Sequence, residues 1–319
     1  MNRCFGLGLT LLLVLFAGVF AQPNVPAEAM LRVGYSSNIF IGINMTDARN
    51  SIKALTASLA QEHDIQTVSE PLIYENADEA ENLMNRHLIG AINMPTGDYW
   101  LLRRGIEFDR FLVTIRNSTP DEVYILLARE NSTVTELADL QGKHLMVMTS
   151  PAMTLATVWL DVELAKKNLP PATKILGSIA EATKPAKVVL PVFFGQADAC
   201  VITLRAYKTM VELNPQVGHQ LRIIATSPKY IPALFAFRTD VPNELKEKTI
   251  HALSGLNNTL IGRQTLTLFQ TEAIEECSAA DLVPSLALLD EHARLCPEAN
   301  AVLVATLRGR PQTATPQKP

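Results

Sequence analysis

Short apolar runs alternate with amphipathic stretches along most of the chain, and this alternation constrains the fold more than any other feature. The clearest unit begins with a turn of Asp139, Leu140, Gln141, Gly142 and Lys143. The apolar run 145–148 follows, then a polar corner of Thr149, Ser150 and Pro151, then an amphipathic segment through Lys167. The order reads turn, buried strand, sharp corner, helix. Ser150 is expected as the N-cap and Pro151 as the first helical residue, leaving backbone N–H groups at a strand–helix corner where an anion can be held. A plain helix cap in an ordinary α/β domain carries the same sequence, so this unit alone does not separate the two.

Comparable units recur. Strands are expected at 31–35, 88–94, 111–115, 123–128, 199–202, 221–225 and 234–237. Helices are expected at 47–61, with Ile52, Leu55 and Leu59 on one face, toward Phe194, at 204–213, from Asn243, near Thr265 and from Ser285. Such alternation predicts an α/β fold with largely parallel sheets. One internal echo stands out: Gly90 and a short apolar run followed by Thr96 and Tyr99, against Gly195 and a short apolar run followed by Thr203 and Tyr207. In open α/β sheets ligands bind outside the carboxyl ends of strands, which is where both Thr/Tyr pairs fall. If the echo is more than coincidence, two similar sheets face each other across a cleft.

The N-terminus bears on the compartment. Arg3, the nearly unbroken apolar run 6–20 and small residues before Gln22 read as an export signal, 1–21, with removal before Gln22. The run is short of the roughly 20 residues of a membrane span. Cys4 lies too early, and no Cys follows the run, so a lipid anchor is not expected. A periplasmic, soluble protein of about 300 residues is then expected, enough for two lobes. The formal net charge of −4 and the lack of a Lys/Arg stripe argue against nucleic acid or a polybasic membrane contact. Cys200 sits in a strand-like run, which leaves Cys277 and Cys296 as the pair for a disulfide unless a helix between them holds them apart. No Cys/His cluster has metal spacing. From residue 308 to 319 the tail is rich in Pro, Thr and Gln and reads as disordered.

Three segments carry a family resemblance. These are Leu31, Arg32, Val33, Gly34 and Tyr35 after the export signal, the Asp139-Leu140-x-Gly142-Lys143 turn, and Gly195-x-Ala197-Asp198-Ala199 after a helix. Together they resemble periplasmic solute-binding proteins of the type II fold, most of all the phosphate/phosphite/phosphonate-binding branch that serves ATP-driven uptake. The resemblance implies two α/β lobes, each a mostly parallel sheet flanked by helices, joined by two crossings and closing on a solute. Lobe 1 would comprise 30–122 and 226–305 and lobe 2 would comprise 126–222, with crossings near 123–126 and 223–226. Four loops would line the cleft: Tyr35, Ser36, Ser37 and Asn38, leading to a helix cap near Thr46 and Asp47; Thr96 with Tyr99; Ser150 with Thr154; and Asp198, Thr203 and Arg205. Each has a plainer reading, as a solvated turn, packing, backbone bonding or, for Asp198, an orienting carboxylate; Arg205 would be the anion clamp. Two departures weaken the match to phosphonate receptors. Pro151 to Ala156 lacks the hydroxyl- and Gly-rich run, and 180–187 contains no His. Met153 and Leu155 suggest a partly apolar pocket.

The implied function is a periplasmic substrate-binding protein of an ABC-type uptake system, taking a small polar solute such as phosphate, phosphite or a phosphonate. Its partner would be a membrane permease, or a sensor kinase if it signals; a monomer without cofactor is expected. An enzyme is the competing class. The chain lacks a Gly-x-Ser-x-Gly elbow, a His-Glu-x-x-His helix and a phosphate loop, and its six His residues are scattered. Glu275 and Glu276 read as a solvated helix face.

Overall fold

The computed structural model describes residues 30–310. The segment 1–21, expected as an export signal, with Cys4, and the tail beyond 310 lie outside the described residues. Among the described residues there are eleven strands: β1 Val33–Ser36, β2 Leu72–Tyr74, β3 Ala91–Pro95, β4 Phe108–Ile115, β5 Glu122–Arg129, β6 His144–Met148, β7 Ser178–Ala182, β8 Ala199–Thr203, β9 Leu221–Tyr230, β10 Ala233–Arg238 and β11 Ala273–Cys277. They form two sheets, in the orders β11-β4-β10-β3-β1-β2 and β7-β6-β8-β5-β9. Read from their parallel edges, both sheets repeat one plan, β2-β1-β3-β10-β4 matching β7-β6-β8-β5-β9. The echo around Thr96 and Thr203 reflects this plan, because β3 and β8 occupy equivalent places.

Each sheet is mixed rather than mostly parallel. Three strands run parallel (β2, β1, β3 and β7, β6, β8), and the rest pair antiparallel to them or to each other. The antiparallel halves arise because β5 and β10 each enter their sheet from the other lobe. The crossings therefore fall at 116–121, between β4 and β5, and at 231–232, between β9 and β10. The expected positions, 123–126 and 223–226, lie inside β5 and β9, so lobe 2 extends from Glu122 to Tyr230. Continuous apolar character there marks strands within the sheet, whereas the turn of direction occurs at Asn117, Ser118 and Pro232. Asn117 and Ser118 adopt left-handed φ of 49° and 61°, a conformation that side chains tolerate best in short polar turns.

The sequence pattern misses β2, β7 and β11, and all three are edge strands. Edge strands are short or charged, which blocks edge-to-edge pairing and dilutes the apolar signal. Thus Glu275 and Glu276 lie on β11 rather than on a helix, and Glu276 pairs with Arg110 of the adjoining β4. The first long helix, Met45–His63, is capped by Asn44, whose side chain accepts the Thr46 and Asp47 N–H groups at 2.9 and 3.3 Å. The cap is therefore Asn44, one residue ahead of the helix, with Thr46 and Asp47 in its first turn. Among the described residues no helix is long and apolar enough to cross a membrane.

The C-terminal helices hold both lobes. Helix Val283–Leu295 packs on helix Ala156–Lys166 of lobe 2 and on helix Thr96–Leu102 of lobe 1. Asp290 accepts the Trp100 indole N–H at 2.6 Å, and His292 faces Asp161 at 3.4 Å. Trp100 and Trp159 are 1% and 0% exposed, and burial of each indole is worth roughly 4–6 kcal/mol before side-chain entropy is subtracted. Cys277 and Cys296 do not pair: both thiols are free, as is Cys200. The intervening 13-residue helix, about 20 Å long at 1.5 Å per residue, keeps them apart, and the Cys296 thiol points at the Asp161 carbonyl. Arg308 and Arg310, expected in a disordered tail, are bound to Asp78.

Candidate ligand-binding cleft

The carboxyl ends of β1, β3, β6 and β8 point toward the seam between the lobes. After β1 the chain makes a 3-10 turn, Ser37–Phe40, and after β6 it makes another, Pro151–Met153; the two turns touch across the seam. The 231–232 crossing ties the seam together. Its Ile231 carbonyl accepts the Thr96 hydroxyl at 2.6 Å, and its Pro232 carbonyl accepts both the Thr96 N–H at 2.9 Å and the Thr154 hydroxyl at 2.8 Å. The Ile231 N–H donates to Ser285 at 2.8 Å. One dipeptide is thus bonded by lobe 1, lobe 2 and the C-terminal helix at once.

This arrangement redefines the corner at Ser150. Ser150 has extended backbone (φ −166°, ψ 167°), and its backbone carbonyl, not its hydroxyl, accepts the Met153 N–H at 2.9 Å. The Ser150 hydroxyl oxygen is buried with no hydrogen-bond partner. Pro151 opens the 3-10 turn, and the α-helix begins only at Ala156, with the fully buried Leu155 in the cap position. The α-helix thus starts after an intervening 3-10 turn, with Leu155 drawn into the core. An unsatisfied buried hydroxyl costs on the order of 1–3 kcal/mol; the Trp159 indole N–H and the Arg222 Nε share this state, and of the three Ser150 is the one that follows the carboxyl end of a strand at the seam.

Between the lobes lies a cavity of about 140 Å³. Asn38 and Ile41 contribute from the first turn, Pro95 and Gly97 from the end of β3, and Thr154, Leu155 and Val158 from the helix entry. Leu289, Leu303 and Leu307 of the C-terminal helices close it. The lining is mainly apolar, in agreement with the hint from Leu155; Met153 is packed into the core.

The expected site residues divide clearly. Ser36, Ser37, Asn38, Thr96, Ser150, Thr154 and Thr203 all lie at the carboxyl ends facing the seam. Among them Thr96 and Thr154 spend their hydroxyls on the crossing, and Thr203 caps helix Leu204–Leu213 by accepting the Ala206 N–H at 3.2 Å. Tyr35 points the other way, half-buried near Phe40 on the side of the first long helix, and desolvation there raises its phenol pKa. Tyr99 packs edge-on against Phe108 and Phe111, inside lobe 1. Asp198 precedes β8, so it sits at the opposite end of the strand, about 16 Å away over five residues. Its carboxylate accepts the His144 N–H at 2.8 Å. Arg205 is paired with Glu122, which is 3% exposed. Burial raises the Glu122 pKa, opposed by the Arg205 and Arg116 guanidiniums beside it.

A second polar cluster, unforeseen in the sequence, underlies the lobe 1 wall. Asp98 is 1% exposed, and its carboxylate accepts the Tyr74 hydroxyl at 3.5 Å. Burial pushes the Asp98 carboxyl up to about 7, against the lowering effect of the Tyr74 and Ser36 hydroxyls. The available signal is Thr96, Gly97 and Asp98 opening a helix, where a carboxylate at the third position normally serves the macrodipole. On the lobe 2 side, Tyr124 stacks on Tyr230 and donates to the Ala152 carbonyl at 3.1 Å, fixing the turn that carries Ser150.

Known proteins agree with this architecture. The fold resembles a Xanthomonas citri protein, XAC2383, bound to ATP, at 15% identity over 84% of this chain and 99% of that one, with a TM-score of 0.61. It also resembles a binding-protein component of an ABC phosphonate transporter from Pseudomonas aeruginosa, at 15% identity over 87% of this chain and 95% of that one, with a TM-score of 0.56. A third likeness is to PhnD1 of Prochlorococcus marinus in complex with methylphosphonate, at 12% identity over 83% of this chain and 97% of that one, with a TM-score of 0.54. At these identities the likeness concerns the fold. No curated protein matches the sequence. The model of the family described as ABC transporter, phosphonate, periplasmic substrate-binding protein matches residues 44–282. With most of its length matched, and with the two mixed sheets that this fold requires, the chain belongs to the phosphonate-type periplasmic substrate-binding proteins of ABC transporters.

Proposed function

We propose that the protein captures a small phosphonate-like oxyanion between its lobes and delivers it, as a monomer, to the permease of an uptake system. The observation that carries the reading is the buried, unpartnered Ser150 hydroxyl at the point where the turns Ser37–Phe40 and Pro151–Met153 meet. An oxyanion oxygen there would accept the Ser150 hydroxyl, the Asn38 amide and N–H groups at the entry of helix Ala156–Lys166, where the macrodipole favours negative charge. The expected clamp, Arg205, is committed to Glu122, so fixed dipoles in a water-poor cleft would supply most of the attraction. The oxyanion and its substituent together would fill the cavity, the substituent at its apolar end. At about 30 Å³ per water in the liquid, 140 Å³ corresponds to roughly five non-hydrogen atoms, about the size of methylphosphonate.

Asp198, Tyr35 and Tyr99 are left out of this site, and no residue is assigned a catalytic role. Differential scanning fluorimetry of the exported form, against phosphate, phosphite, methylphosphonate and methanesulfonate, tests the proposal. A ligand at 100 times its Kd stabilises the folded state by about 2.7 kcal/mol. A clear rise in Tm with a phosphorus oxyanion is expected; no rise with any of the four would remove the proposal.

A further inference from the structure

The cavity has a third wall that belongs to neither sheet. Helix Pro297–Leu307 is tied at its start to lobe 2 and at its end to lobe 1. Glu298 pairs with Lys174 of the short helix Ala172–Ile175, while Arg308 pairs with Asp78 and reaches Glu81 at 3.2 Å on helix Ala77–Asn85. Arg310 adds a contact to Asp78 at 3.1 Å. At about 1.5 Å per residue the helix spans roughly 16 Å, so its middle lies across the seam.

Leu303 and Leu307, four residues apart, present one stripe of this helix to the cavity, opposite Leu155 and Val158. Gly97 admits the stripe. A methyl group at position 97 would stand 3.3 Å from one Leu307 methyl carbon and 3.5 Å from the other, tight enough to push the leucine away. No residue of this helix is fully buried, so the two leucines are half-covered side chains whose remaining apolar surface faces the cavity.

We propose that Leu303 and Leu307 are specificity-determining residues that set the length of the solute's organic substituent. The proposal rests on the oxyanion reading above: with the charged end fixed at Ser150, the chain points toward the leucine stripe. Short substituents fit against Leu155 and Val158; longer ones meet Leu303 and Leu307. Each methylene accommodated in an apolar pocket is worth about fourfold in affinity, and each one excluded forfeits that gain.

The test is isothermal titration of the exported form with methyl-, ethyl-, propyl- and butylphosphonate. The wild type is expected to bind the shortest members and to lose affinity at butyl. Leu307→Ala and Leu303→Ala are expected to improve butylphosphonate binding at least tenfold relative to methylphosphonate. Leu303→Phe, which fills the cavity, is expected to shift the preference the opposite way, and a variant of either sign that melts like the wild type suffices. An unchanged length profile in folded variants that still bind methylphosphonate would overturn this inference and leave the oxyanion reading standing. Failure of the wild type to bind any member or inorganic phosphate would overturn both.

Discussion

Replacing Asp98 with asparagine should change how stability depends on pH, by an amount that follows from burial. The Asp98 carboxyl is 1% exposed and titrates near 7, against an ordinary value of 3.8. Below pH 4 both the folded and unfolded states keep the proton, so Asp98 imposes no cost. Between pH 4 and 7 the unfolded chain releases it while the folded chain retains it, and stability falls as pH rises through that window. A displacement of about three pH units at 1.36 kcal/mol each amounts to roughly 4 kcal/mol, fully developed above pH 7. The amide of the Asp98→Asn variant has no proton to release in this range, although it can still accept the Tyr74 hydroxyl. Urea unfolding of the wild type and Asp98→Asn at pH 4, 5.5 and 7.5 measures the difference with other groups cancelled. The variant should gain on the wild type by several kcal/mol between pH 4 and 7.5. A difference that stays flat across this range would refute the assignment of Asp98 as a buried, high-pKa carboxyl.

Further outcomes follow from the same geometry. Ser150→Ala should leave stability equal or raise it by about 1 kcal/mol, because an unpaired buried hydroxyl is removed, while weakening phosphonate binding in titration calorimetry; lost stability with unchanged affinity would instead make Ser150 structural. Thr154→Val breaks the bond from lobe 2 to the Pro232 carbonyl, and should cost about 1 kcal/mol in thermal melts. Thiol titration of the unfolded chain from Gln22 onward, without reductant, should find Cys200, Cys277 and Cys296 all reactive, and a reducing agent should not shift Tm.

The parts of the fold that the sequence discloses are those buried on both sides. Runs such as 123–128 and 145–148 have little or no polar face, so their strand character is plain. The edge strands hide: β7 carries Glu181 and β11 carries Glu275 and Glu276, because solvent-facing edges are charged. The crossings are misread for the related reason that apolar strands look like connections once a two-lobed plan is assumed, whereas Pro232 and the pair Asn117 and Ser118 mark the actual turns. Polar residues after apolar runs mark where Ser36, Asn38 and Ser150 sit, at the carboxyl ends of β1 and β6. Direction within those loops is not legible, since a side chain two positions away can face either the core, as Tyr35 and Tyr99 do, or the seam. The motif at Asp198 likewise identifies a strand start and not a strand end. Leu303 and Leu307 escape the sequence pattern, because their place at the cavity depends on ion pairs between residues 124 and 230 positions apart, Lys174 to Glu298 and Asp78 to Arg308.

The central claim is that the solute sits between the two turns, at Ser150 and Asn38, with its substituent in the leucine-lined cavity. A crystal structure of the chain from Gln22 onward, grown with methylphosphonate, measures this directly. Density for the phosphonate oxygens is expected within hydrogen-bond distance of the Ser150 hydroxyl, with the methyl group against Leu155 and Val158. Density at the other end of lobe 1, in the 370 Å³ cavity beside Arg32, His87 and Arg238, with the seam empty, would contradict it.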